Sequence, residues 1–137
     1  MGASTSKNTS SGKKKLPTNF VTWFEIPALV HSRATAFYNY IFGLDLETVH
    51  ISDFSMSFFP NDGGISGAII QGEGCRPGEH GPLLYLNGGS DLNNILSKVE
   101  EAGGKIIMPK TLISDEMGYF AIFIDSEGNR LALHSDK

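Results

Sequence analysis

Glu25 and His134 are the two side chains whose type and placement best suit proton chemistry. Glu25 lies inside Phe20-Val21-Thr22-Trp23-Phe24-Glu25-Ile26, an alternating, β-rich run that ends at Pro27. Residues two apart in a strand share a face, so Glu25 joins Trp23 and opposes Phe24 and Ile26. A carboxyl beside an indole in a recess can serve as a general acid or base, or hold a cationic ligand. The competing structural reading pairs Glu25 with Arg130 or with hydroxyls. His134 closes the run Arg130-Leu131-Ala132-Leu133-His134 and shares a side with Arg130 and Ala132. It reads as a general base or ligand donor, or as an exposed histidine near the chain end. A metal held by Glu25 and His134 would need a third donor, and His80 is the candidate.

Trp23, Phe58, Tyr85, Phe120 and Ile122 fall on the same alternating sides and would form an apolar, aromatic wall. The plainer reading makes them core. His31 and His50 read as surface histidines or as residues at a helix start. Cys75 stands beside Arg76, which could lower its pKa and make it reactive, or it is an inert loop thiol. No Ser-His-Asp set, phosphate loop or dinucleotide fingerprint is present, because the Gly-Gly pairs follow turns and helix ends.

These residues are spread over elements that repeat. After the first strand, Ser32 can cap a helix running to about Phe42, with Phe37, Tyr38 and Ile41 on its apolar side and Gly43 just past its end. Strands are expected near 45–52, 55–60 and 65–71, with Asn61-Asp62-Gly63-Gly64 as a hairpin turn. Gly72 to Gly81 is a Gly/Pro-rich connector. The order then recurs: a strand at Leu83–Asn87, and a helix capped by Ser90 or Asp91 with Leu92, Ile95, Leu96 and Val99 inward, ending at Gly103-Gly104. Strands follow at Lys105–Leu112, Tyr119–Ile124 and Arg130–His134, with Asp125–Asn129 as the last hairpin turn. Phe24 and Leu84, and Gly43 and Gly103, are 60 apart; Phe59 and Phe123, and Ala68 and Ala132, are 64 apart. The chain therefore reads as a duplicated βαβββ unit. The aliphatic strand sides suit packing under the helices, and the mixed sides would line a concave small-molecule pocket.

Composition narrows the function classes. The 137 residues fit one domain, 40% of them are apolar, and no run is long enough to span a bilayer as a helix. No secretory leader is expected, and the single cysteine suits a reducing, cytoplasmic setting. Net charge is −4, but residues 1–20 hold four lysines and no acid, which leaves 7 basic and 15 acidic residues in the remainder. A body this acidic repels phosphate backbones, so nucleic acid is not an expected partner. Residues 1–18 read as a disordered tail and 19–137 as a single domain, with module 1 at about 19–72 and module 2 at about 82–135. Met1-Gly2-Ala3-Ser4-Thr5-Ser6 fits the N-myristoylation pattern, and Lys13–Lys15 would add an electrostatic signal. A membrane is a partner only if Gly2 is acylated, and the competing reading is a plain solvated leader.

Taken in order, Trp23-Phe24-Glu25-Ile26-Pro27, Arg33 through Phe37-Tyr38, Phe42-Gly43, Glu101-Ala102-Gly103-Gly104-Lys105 and Asp125-Ser126-Glu127-Gly128-Asn129-Arg130 resemble the vicinal oxygen chelate superfamily. This is the glyoxalase, bleomycin-resistance and extradiol-dioxygenase group, and the resemblance covers about residues 20–135. It is closest to the single-domain members described as glyoxalase-like. It implies an α+β fold with two βαβββ modules in a curled mixed sheet, and a homodimer with each cup built from paired modules. Metal-dependent members carry ligands on the first and last strand of each module. Those positions map here to Trp23, Ala68, Leu83 and Ala132, none of which binds a divalent cation, so no metal and no cofactor is expected. The implied function is metal-independent binding of a small organic molecule in an aromatic cup, with bleomycin-resistance-like sequestration as one form. The alternative is a lyase or isomerase of the glyoxalase type, with Glu25 as general acid/base and His134 assisting, or with a displaced metal site. A third class is an interaction module that has lost its chemistry.

Overall fold

A computed structural model describes residues 15–137. Gly2 and Lys7, Lys13 and Lys14, and with them the acylation pattern, lie outside the described residues. The elements run β1 (Trp23–Pro27), α1 (His31–Phe42), β2 (Thr48–Ile51), β3 (Phe54–Phe58), β4 (Ser66–Gln71), β5 (Tyr85–Asn87), α2 (Asn93–Val99), β6 (Lys105–Ser114), β7 (Gly118–Ile124) and β8 (Arg130–Ser135). They form two four-stranded sheets, ordered β1-β4-β3-β2 and β5-β8-β7-β6. In each sheet the first strand of the module lies parallel to its last, and the other pairs are antiparallel. The duplicated βαβββ order is the observed one. No helix among the described residues is long and apolar enough to cross a membrane.

One core serves both modules. Ile26 and Ile69 from the first sheet, and Leu86, Phe123, Leu131 and Leu133 from the second, meet the inward residues of both helices. Ala34, Phe37, Tyr38 and Ile41 of α1 recur at helical spacing, as do Leu92, Ile95, Leu96 and Val99 around α2, and all eight are buried. Ala68, Ile70, Ile122 and Ala132 are buried but stand outside this cluster, on the sheets' other faces.

Several element boundaries differ from the expected ones. β1 begins at Trp23, three residues after Phe20, because its partner β4 begins at Ser66, opposite Trp23; Phe20 is left 95% exposed. β5 begins at Tyr85, paired with Ala132, and Leu83 precedes it. Ser32 does not cap α1, which starts one residue earlier, at His31, with no side-chain cap from its own first turn. The Glu127 carboxylate, from the β7–β8 turn, instead accepts the Leu29 and Val30 amides at 2.9 and 2.8 Å and the Arg33 Nε at 2.7 Å. A remote acceptor has taken the role a local hydroxyl usually plays. Gly43 does end α1 in the left-handed conformation, φ 66°. Asp91 accepts the Asn93 amide at the start of α2. The β7–β8 turn is held internally as well: buried Asp125 accepts the Glu127 and Asn129 amides and the Tyr38 hydroxyl.

His31 is at a helix start, as one of its two readings had it, but it is buried rather than on the surface. Its Nε2 lies 2.9 Å from Ser57 Oγ and 3.3 Å from Thr35 Oγ1, in a polar pocket between α1 and β3. Burial first, and the neighbouring His50 second, hold its pKa below the usual 6.5. Above that value neither the folded nor the unfolded chain carries the proton. As pH falls through it, the unfolded chain takes up a proton that the folded chain refuses, so stability declines. Thermal unfolding at about pH 7 and about pH 5.5 should therefore show a smaller acid-induced drop in His31→Gln than in the parent chain. An equal drop would remove this role.

Candidate functional site

The site residues fall in rows set by strand register. On the outer face of the second sheet, Tyr85, Ala132 and Ile122 lie side by side, and Asn87, His134 and Phe120 form the next row. On the first sheet the row equivalent to Tyr85–Ala132–Ile122 is Glu25–Ala68–Phe58. The offsets of 60 and 64 read from the sequence relate these two rows residue by residue.

An open cavity of about 790 Å³ lies over the second sheet, walled by Tyr85, Asn87, Ile113, Met117, Phe120 and His134. Tyr85 is 51% exposed, so an aromatic face is presented to whatever enters. His134 is half-buried, and its Nε2–H donates to the Met117 carbonyl at 2.6 Å. That bond fixes the ring and leaves Nδ1 as the nitrogen available to accept. Read also as an exposed histidine near the chain end, His134 is half-buried and held by this bond. Met117 and Ile113 were not anticipated. Ile113 stands near the end of β6 and Met117 in the turn just before β7, whose first residue, Gly118, was the available signal.

The first sheet gathers the other candidates. The Trp23 and Phe58 rings sit 5.9 Å apart, tilted by 56°. The Trp23 indole N–H donates to Glu25 Oε2 at 3.3 Å. Glu25 forms no ion pair with Arg130, although both line a second cavity of about 340 Å³ with Arg76 and His80. A third, more apolar recess of about 460 Å³ separates Phe24 and Phe59 from Leu84 and Tyr85. The structure thus brings Tyr85, Phe120 and His134 together and, separately, Trp23, Glu25 and Phe58. It does not put Glu25 and His134 in one cavity, and Ile122 is buried in its row without lining either.

The residues do not fit a divalent metal. Register places Glu25, not Trp23, opposite Ala68, and Tyr85, not Leu83, opposite Ala132. The four positions then offer one carboxylate, one phenol and two methyl groups, where a catalytic cation takes about three nitrogen or oxygen ligands. The displaced trio is split as well, since His80 lies with Glu25 and His134 does not. Among the described residues no cluster of three or more His, Cys, Asp or Glu could hold a metal ion. Burial first, and the Glu25 carboxylate second, push the Cys75 thiol up, which opposes the activation that Arg76 would give it.

No family model matches the chain, and no curated protein does. Solved structures do. A glyoxalase/bleomycin resistance protein from Albidiferax ferrireducens T118 superposes with TM-score 0.64 at 14% identity, covering 84% of this chain and 97% of that one. TnmS3, an antibiotic binding protein from Streptomyces sp. CB03234, gives TM-score 0.61 at 22% identity over 88% of this chain and 98% of its own. A glyoxalase/bleomycin resistance protein from the same Streptomyces gives 0.62 at 23%, over 82% and 97%. At these identities the likeness is one of fold.

Proposed function

We propose that this chain, built on the glyoxalase/bleomycin-resistance fold, binds a small organic molecule without a metal, against the outer face of its second sheet. The observation that carries this is the open 790 Å³ cavity with Tyr85 and Phe120 as aromatic walls and His134 tethered beside them. Small-molecule sites have this size and this mix of apolar surface with a few fixed polar groups. That TnmS3, of the same fold, is an antibiotic binding protein supports small-molecule binding as the use of this cavity. Exposed apolar side chains on and beside the outer faces, among them Trp23, Phe58, Tyr85, Ile113 and Met117, support a homodimer in which a second copy closes the cavity. The single thiol supports a reducing compartment such as the cytoplasm.

The test uses a neutral fluorophore, N-phenyl-1-naphthylamine. Its emission should rise saturably with the parent chain, and Tyr85→Ala and Phe120→Ala should each weaken binding by about tenfold or more. Absence of saturable binding, or unchanged affinity in both variants, would sink the reading. Sedimentation should show a two-chain species; a monomer at every concentration would remove the dimer.

The second reading, a lyase or isomerase with Glu25 as acid/base, is favoured by the place of Glu25 in a polar cavity beside His80. On that reading Glu25 acts without His134, which lines the other cavity.

A further inference from the structure

We propose that the recess between β1, the connector after β4 and the start of β8 is an oxyanion site, which takes the carboxylate or phosphoryl end of a small ligand through Arg76 and Arg130. It shares no lining residue with the Tyr85 cavity, so it does not rest on binding there, and it occupies the cavity in which the second reading places Glu25.

The chain has three arginines, and their placement is uneven. Arg33 is paired with the buried Glu127 through two nitrogens, at 2.7 and 3.0 Å. Arg76 and Arg130 both line the recess, and among the described residues neither has a carboxylate within ion-pair distance. Acids outnumber bases by 15 to 7 beyond residue 20, so two arginines would ordinarily find acidic partners. Here both line one hollow with His80 and a single carboxylate residue, Glu25. A guanidinium presents a planar fork of donors that matches carboxylate and phosphate oxygens, and it stays charged at any working pH.

The frame around these side chains is fixed. The Asn129 side chain donates to the Pro27 carbonyl at 2.8 Å and accepts the Gly78 amide at 3.0 Å, stitching β1 to the connector. The Arg130 amide reaches the Gly78 carbonyl. Pro77 and Pro82 flank the same stretch and restrict its backbone. Both arginines therefore extend from anchored backbone, which lowers the entropy lost when an anion is gripped. Glu25 is held by the Trp23 indole. It limits the recess to one anionic group, and a second would meet its charge.

Trp23 is the only tryptophan and touches Glu25, so its fluorescence reports on the recess. The experiment titrates the full chain with benzoate, phenyl phosphate and benzamide, read by Trp23 emission and by calorimetry. At least one of the two anions should bind saturably and benzamide should not; which anion binds more tightly tells a carboxylate source from a phosphoryl one. The Arg76→Gln/Arg130→Gln double variant should lose about tenfold or more in affinity at an unchanged melting temperature. Glu25→Gln should bind the anion more tightly. Failure of both anions in calorimetry, equal binding of benzamide, or full affinity in the double variant would each overturn the site. Naphthylamine binding at the Tyr85 cavity is read separately, so failure of one site leaves the other standing.

Discussion

Glu127→Ala should lower stability by about 3 kcal/mol, the cost of breaking a buried, hydrogen-bonded ion pair. The Glu127 side chain is 0% exposed while Arg33 is 52% exposed. Alanine would leave the Leu29 and Val30 amides without their acceptor and Arg33 without its partner. Chemical denaturation should register the full loss, and a melting curve a drop of roughly 10 °C. Arg33→Ala should cost less, because its half-exposed head is already partly hydrated and the Glu127 carboxylate keeps the Leu29 and Val30 amides and the Ser126 hydroxyl. Equal losses in the two variants would mean that the amides contribute nothing. The acid limb gives an independent check. Burial works to raise the Glu127 pKa, but Arg33, the Val30 amide and Ser126 outweigh it and hold the carboxyl below its usual 4.5. A depressed folded pKa contributes stability above the unfolded value and loses it as pH falls through the folded one. Glu127→Gln should flatten stability below 4.5, whereas His31→Gln acts from 6.5 downward.

Gly118→Ala should cost roughly 3 kcal/mol, from backbone strain and a clash together. Gly118 sits at φ +83°, where a side chain is disfavoured. A methyl there would also strike the Ser135 carbonyl and come within 2.8 Å of Asp136 Cα. Gly63, at φ +84° with open space around it, is the control: Gly63→Ala should cost only the strain, about 1 kcal/mol. The Gly118 variant should show a second effect that the control lacks. The adjacent Met117 carbonyl holds His134, so displacing it frees the ring. The His134 imidazole resonances should shift and broaden, and naphthylamine should bind more weakly. A normal His134 spectrum in a destabilised Gly118→Ala would separate stability from the site.

Much of the fold was legible because the sequence says the same thing twice. The offsets of 60 and 64 aligned each βαβββ unit with its copy, and the register of Glu25 on Ala68 and Tyr85 on Ala132 has the same spacing. Helical spacing also named the buried faces of α1 and α2 correctly. The α1 cap was not legible, because its acceptor lies 97 residues beyond Val30 and no local pattern encodes it. The site was legible only as two lists of face residues. Alternation tells which side of a strand Trp23 or His134 occupies, but not whether two sheets turn those sides toward each other. That depends on how the helices pack between them. Two of the four ligand positions, Trp23 and Leu83, lie two residues before Glu25 and Tyr85, which register pairs with Ala68 and Ala132, because alternation fixes the faces of a strand but not its pairing with a distant one.

The bond from Val30 to Glu127 has a consequence in time as well as in space. The first helix of the chain receives its cap from the last turn, so module 1 cannot be completed until nearly the whole polypeptide is available. Synthesis proceeds from the N-terminus, and for most of that interval α1 has the Leu29 and Val30 amides and Arg33 unpartnered. Closing so long a loop is slow relative to helix formation. The duplicated halves, alike as they are, are therefore not two independent folding units. A chain interrupted anywhere before Glu127 should yield a first module that is protease-sensitive until the missing turn is supplied in trans.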